Sequence, residues 1–133
     1  MANEFRGTGS VGGEPSLKTV LVGGEERQLA ELRVFFDEYR SDGAGGREQV
    51  GGFWLDVNVW GERHAADVAR VVKKGARVHV IGRLVESRWT VTATGEERAM
   101  LHLNAEQLYL GLSRLAEVRL KPRRDESKDE ARA

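Results

Sequence analysis

There is no cysteine among the 133 residues. That excludes a disulfide, a thiolate metal site and a cysteine nucleophile, and it suits a reducing cytoplasm, the location expected here. Excess charge is missing too: 21 Lys and Arg balance 21 Asp and Glu, for a formal net charge of zero. Such a balance argues against a chain held on nucleic acid by charge alone, so any such binding must use a local basic stripe, stacking, or both. No apolar run approaches the length of a membrane span. The start, Met1-Ala2-Asn3-Glu4-Phe5-Arg6, lacks the apolar stretch of a secretory signal. Histidines are few, and His64, His79 and His102 fall on one predicted helix and two predicted strands without metal-ligand spacing. Gly-x-Ser-x-Gly, Walker and HExxH patterns are absent. The expectation is a binding protein with no catalytic site, no metal and no cofactor.

What is present is alternation. In Gly52-Phe53-Trp54-Leu55-Asp56-Val57-Asn58-Val59-Trp60-Gly61, Phe53, Leu55, Val57 and Val59 share one parity. Trp54, Asp56, Asn58 and Trp60 share the other. Successive side chains of a strand point to opposite faces, so the first set reads as the core face. Two of the three tryptophans then stand beside Asp56 and Asn58 on the face that meets water. Either they serve as flat platforms for stacked bases, or a neighbouring loop or second subunit covers them.

Elsewhere the chain reads as strands with one helix. Strands are expected at Glu4 to Val11, Leu17 to Val22 and Gln28 to Arg40. In the third, Leu32, Val34 and Phe36 point inward, and Arg33, Phe35, Asp37 and Tyr39 outward. Ser41 to Gly52 is glycine-rich and reads as a mobile hairpin tip. Glu62 to Lys74 is the expected helix, with Ala65, Val68, Ala69 and Val72 on one face and Lys73 and Lys74 in its last turn. It is short enough to plug one end of a sheet. Ala76 to Trp89 is the longest strand, with Val78, Val80 and Leu84 inward, Arg77, His79, Arg83 and Trp89 outward, and a bend or bulge at Gly82. Arg98 to Leu110 returns with Ala99, Leu101 and Leu103 inward. Leu112, Leu115 and Val118 allow a short helix before Pro122.

No strand–helix–strand unit repeats, so a doubly wound parallel sheet is not expected. Long strands with one helix between the third and fourth suit an all-β fold, a five-stranded Greek-key OB barrel over residues 1–111. Residues 112–133 form a charged tail of disordered composition. Outward aromatic and basic side chains then converge from three strands: Phe35 and Tyr39; Trp54 and Trp60; Arg77, Arg83 and Trp89.

These residues also carry a resemblance. The Phe53–Gly61 run, with its tryptophan and an aromatic six residues later before Gly, resembles a strand of the bacterial single-stranded DNA-binding protein family. Val71-Val72-Lys73-Lys74-Gly75-Ala76-Arg77-Val78-His79-Val80-Ile81-Gly82-Arg83-Leu84 is similar to the family's segment of hydrophobic-x-Lys-Gly-x-x-Val-x-Val-x-Gly-x-Leu form. Arg88-Trp89-Thr90 and Gly95-Glu96-Glu97-Arg98 resemble its hairpin tip. The resemblance implies an OB barrel, single-stranded DNA as ligand, a homo-oligomer (tetramer or dimer), and neither cofactor nor catalysis. It also implies that Trp54, Trp60 and Trp89 stack on bases, with Tyr39 near a fourth stacking position. Two departures stand out. The first strand, Phe5-Arg6-Gly7-Thr8-Gly9-Ser10-Val11-Gly12, is richer in Gly than the family's aliphatic strand. The sequence ends Asp129-Glu130-Ala131-Arg132-Ala133, where members of the family carry an acidic Pro-Phe hook for replication and repair partners. A phage, plasmid or specialised paralogue fits that ending better than the housekeeping protein.

Each stacked base gains about 1–3 kcal/mol from an aromatic platform, with little preference among bases. Arg33, Lys73, Lys74, Arg77, Arg83, Arg88 and Arg98 are the candidate phosphate contacts, and Asp37 and Asp56 the acids that pair with such arginines or bond to bases. Two other readings of an OB sheet stand beside this one: a primosome-type assembly factor that docks a protein, and an RNA-binding module. A docking sheet has no need of three spaced stackers. Replacing Trp54 and Trp60 together by Ala is expected to leave the barrel folded and to weaken strand binding more than about tenfold. Circular dichroism beside a binding titration checks both halves, and an unfolded double mutant would show the indoles to be core.

Overall fold

The computed structural model describes residues 3–123. Six strands and one helix follow in the order β1 (Phe5–Val11), β2 (Ser16–Val22), β3 (Glu25–Ser41), β4 (Arg47–Trp60), α1 (Glu62–Val71), β5 (Arg77–Thr90) and β6 (Glu97–Leu110). Neighbours in the sheet run β1-β5-β6-β4-β3-β2, and β1 also pairs with β3. Five strands therefore close on themselves as β1-β5-β6-β4-β3, with the helix after the third of the five. This is the Greek-key order of an OB fold. The ring is lopsided, because β1 meets β3 at only Ser10↔Phe35 and Val11↔Val34. The remaining strand, β2, adds to the edge of β3 alone.

Alternation fills the interior. Ala30, Leu32, Val34 and Phe36 of β3, Leu55, Val57 and Val59 of β4, Val78 and Val80 of β5, and Leu103 of β6 are buried in one cluster. Ala65, Val68 and Val72 join it from α1 and the residue after it, so the helix plugs one end as its apolar spacing predicts. The helix is shorter than expected. It stops at Val71, and Val72 is already extended. Lys73 and Lys74 lie in the following turn, where Ala76 N–H donates to the Lys73 carbonyl (3.0 Å) and Gly75 takes the positive φ of 89° that the turn requires. Arg70 is the basic residue of the last helical turn.

Glycines in β1 mark close packing. A Cβ on Gly9 would lie 2.4 Å from the Phe35 carbonyl oxygen, at the crossing of β1 from β5 to β3. A side chain there would hold the ring open.

Several sequence expectations change because both hairpins outgrow the ring. β4 and β6 run parallel and pair only at Asp56–Val59 with His102–Ala105. Beyond that seam, β3–β4 and β5–β6 continue as two-stranded arms with both faces near water. Phe53 and Leu101 keep inward parity yet are 43% and 48% exposed, and Ala99 is exposed as well. Phe53 packs instead beside Phe36 and Phe5, with ring centroids 5.9 and 6.1 Å away. The glycine-rich tip is also shorter than Ser41–Gly52, since β4 begins at Arg47. At its turn the Asp42 carboxylate accepts from Ala44 N–H (2.8 Å) and Gly46 N–H (3.0 Å). Those bonds hold its carboxyl below the usual carboxylate range. No helix forms over Leu112 to Val118, only a turn in which Leu115 N–H donates to the Leu112 carbonyl. The charged tail from 124 onward lies outside the described residues. Among the described residues, no helix is long and apolar enough to cross a membrane.

Gly9→Ala is expected to cost about 1–3 kcal/mol, as overpacking does, while Gly13→Ala, whose added Cβ meets nothing within 4 Å, leaves stability unchanged or slightly raised. Urea midpoints of the two variants check this.

Candidate nucleic-acid interface

The outward faces of β3, β4 and β6 form a continuous surface, and the register fixes who stands beside whom. Phe35 lies opposite Trp54, Arg33 opposite Asp56, and Glu31 opposite Asn58. On the other side of β4, Asp56 faces His102 and Asn58 faces Asn104. Trp54 and Trp60, six residues apart on one face, stand about 20 Å apart along the strand. Both indoles are open, at 47% and 38% exposure, and Trp89 is 46% exposed.

Each indole is held differently. Trp54 tilts against Phe35 with centroids 5.2 Å apart, and the Arg33 guanidinium sits 5.4 Å from its ring centre, a cation–π arrangement. Its outer edge overlies Gly12, where a Cβ would come within 2.5 Å of the indole. Trp60 Nε1 donates to Asn104 Oδ1 at 3.2 Å, fixing the ring while leaving a face free. Trp89 stands on the β5–β6 arm between Arg88 and Arg98.

Trp89 also walls a groove of about 570 Å³. Its floor is Glu31, Arg33, Asp56 and Asn58; one wall is the Gly12–Ser16 connection, and the other is the arm, with Ser87, Met100 and His102. Of these, His102 escaped the sequence reading. In β6 the register shifts opposite Ile81/Gly82, leaving Glu106 unpaired. This bulge reverses parity, so Leu108 and Leu110 pack inward on one side of it and Ala105 and Leu103 on the other. Ahead of the bulge, even-numbered His102 and Asn104 face outward, as the inward parity of Leu103 requires. Ser87 Oγ and His102 Nδ1 lie 3.3 Å apart. The signal in the sequence was the inward parity of Leu101 and Leu103; Gly82 admits the bulge further on, because a Cβ there would sit 2.1 Å from the Asn104 carbonyl oxygen.

The candidate cations separate into groups. Arg33 is at the groove floor, bonded to Asp56 at 3.1 Å. Lys73 reaches Glu14 of the groove wall at 3.8 Å, and Lys74 N–H donates to the same carboxylate at 3.4 Å, so both lysines mark the rim. Arg88 pairs with Glu86, and Arg98 with Glu96 at 3.5 Å, beside Trp89. Arg83 stands opposite Asn104 in the register and 3.9 Å from Glu106. Tyr39 is exposed on the β3–β4 arm beyond Phe35. Arg77 is the exception to the expected phosphate path. It donates to Asp37 at 2.6 and 3.2 Å and to Ser10 Oγ at 2.9 Å, tying β5 to β3 across the end of β1. The Asp37 side chain is only 7% exposed. Its hydrogen bonds, and then its charge, raise the Arg77 pKa above the ordinary guanidinium value against the opposing effect of burial. Parity placed Arg77 outward correctly, but its fork is already occupied.

Residues 3–110 match the single-strand binding protein family. The chain belongs to that family. It is 31% identical over 90 residues to a single-stranded DNA-binding protein of Rhizobium meliloti (strain 1021), covering 68% of this chain and 49% of that one. The chain thus spans about half the length of this curated relative. Solved structures share the fold at lower identity. The small single-stranded DNA-binding protein of Streptomyces coelicolor superposes with a TM-score of 0.68 at 17% identity, covering 86% of this chain and 98% of that chain. A Plasmodium falciparum SSB in complex with ssDNA gives 0.65 at 21% identity, covering 83% and 95%. These two likenesses speak to the OB fold, and the family match speaks to descent.

Asp37→Ala would leave the half-buried Arg77 without its carboxylate, with only the Ser10 hydroxyl to donate to among the bonds described, and is expected to cost about 1–3 kcal/mol of stability. Glu106→Ala, which frees the exposed Arg83, is expected to stay within about 0.5 kcal/mol of the parent. Thermal or urea unfolding of the pair distinguishes a structural bridge from a surface contact.

Proposed function

We propose that this protein binds single-stranded DNA with little sequence preference and coats exposed strands during replication, recombination or repair. The observation that carries this reading is the set of three open indoles, Trp54, Trp60 and Trp89, spread over one outer surface and flanked by Arg33, Arg83, Arg88 and Arg98. A base has a π-face whatever its identity, so spaced platforms bind many sequences by the same contact. Family membership and the DNA-binding relatives support the same ligand. Salt-sensitive phosphate contacts at the rim add to stacking, with Lys73 and Lys74 contributing from the turn after α1. Self-association into a homo-oligomer is part of the proposal, a tetramer first and a dimer second. Exposed Leu21, Leu101 and Tyr109 supply apolar surface outside the groove for a second copy to cover.

Titration with a mixed-sequence DNA oligomer, followed by tryptophan fluorescence, tests the reading. Strong quenching that saturates at a fixed number of nucleotides per subunit, with affinity falling as salt rises, is the expected result. A folded protein showing no quenching at low salt would move the search to protein partners.

A further inference from the structure

The groove between the tryptophans has the wrong charge for a phosphate track. Three carboxylates, from Glu14, Glu31 and Asp56, line it against the one guanidinium of Arg33. Phosphates passing over that floor would be repelled, so a strand lying there must turn its bases inward and its phosphates toward the rim. What the bases would meet is a row of hydrogen-bond acceptors. Asp56 gives Oδ1 to Arg33, and Glu31 gives Oε2 to Lys18 at 2.9 Å. Asp56 Oδ2 and Glu31 Oε1 accept nothing among the described residues. Ionised carboxylates accept hydrogen bonds and cannot donate. These two lie on adjacent strands, flanked by Arg33 and Asn58 in the register, with Trp89 over the groove as its stacking wall.

Resting on the single-stranded DNA reading, we infer that this floor selects among bases, favouring those with an exocyclic amino group over thymine. Cytosine offers N4–H2, adenine N6–H2 and guanine N2–H2 to a carboxylate. In a single strand these groups are free of their pairing partners. Thymine has no amino group, and its one ring N–H is flanked by two carbonyl oxygens that a carboxylate repels. Stacking alone would not separate these bases in this way; the preference comes from Asp56 and Glu31, and it is modest because both side chains are near water.

The test compares cytosine and thymine oligomers of equal length, at pH 8 and moderate salt, on the full chain and on Glu31→Gln and the Glu31→Gln/Asp56→Asn pair. The expected result is about three- to tenfold tighter binding of the cytosine oligomer by the parent, the yield of one or two exposed hydrogen bonds. In the variants that ratio falls toward one, and thymine affinity rises as repulsion is removed. The single variant is a surface change of a half-exposed side chain, so it serves even where the pair alters the Arg33 contact. Equal or tighter binding of thymine by the parent overturns the inference while leaving the DNA reading intact, and so does a cytosine preference that survives both variants. Binding of neither oligomer overturns both.

Discussion

Everything else in this fold depends on a short parallel seam, Asp56–Val59 of β4 against His102–Ala105 of β6. Each hairpin can form by its own antiparallel ladder, but neither encloses a core alone. The seam brings Val57, Val59 and Leu103 into one cluster with Val78 and Val80, where burial of apolar surface stabilises the closed ring. It also decides where the ring ends. Past Asp56 and His102 the hairpins part, and the parted arm carries Trp89 over the floor made by β3 and β4. Core and groove are thus two sides of one pairing.

Much of this was legible in the chain. Period-two alternation placed the faces of β3 and β4, and Trp54 and Trp60 stand outward as their parity requires. The spacing of Ala65, Val68 and Val72 placed the helix against the core. The departures share a cause, since each needed knowledge of a distant neighbour. Parity cannot say how far a strand remains covered, so Phe53 and Leu101 were read as core although the sheet leaves both nearly half exposed. Nor does parity survive a bulge, and past the extra residue at Glu106 it is Leu108 and Leu110 that pack inward, on the parity opposite to Leu103. Parity put Asp37 on the same face as the arginines and left open whether it pairs with one of them or bonds to bases; the fold brings it, forty positions away, into the fork of Arg77. Helix α1 ended three residues early because Val72 is drawn into the core in an extended conformation.

The balanced composition acquires a local meaning in the structure. Most cations of the outer surface already face an acid: Arg33 with Asp56, Arg83 with Glu106, Arg88 with Glu86, Arg98 with Glu96. Such exposed pairs add little to stability. Their effect is to temper the field of the outer surface, which carries no broad excess of positive charge. Specific geometry then falls to the rings. Phe35 and Arg33 brace Trp54, and Asn104 anchors Trp60, so these two indoles are held in orientation by the protein itself. A side chain braced in this way loses less conformational freedom in any contact than a free one.

The seam between β4 and β6 has a further consequence in time. Its partners lie far apart along the chain, with α1 and all of β5 between them. Local hairpins form early, whereas a contact spanning such a stretch must first meet the entropy of closing the loop. During synthesis β6 is the last of these six strands to appear. Until it docks, the wall bearing Trp89 has no fixed place over the β3–β4 floor, and a nascent chain holds its exposed indoles without a groove. The groove therefore arrives with the last of the six strands, in one step with completion of the core.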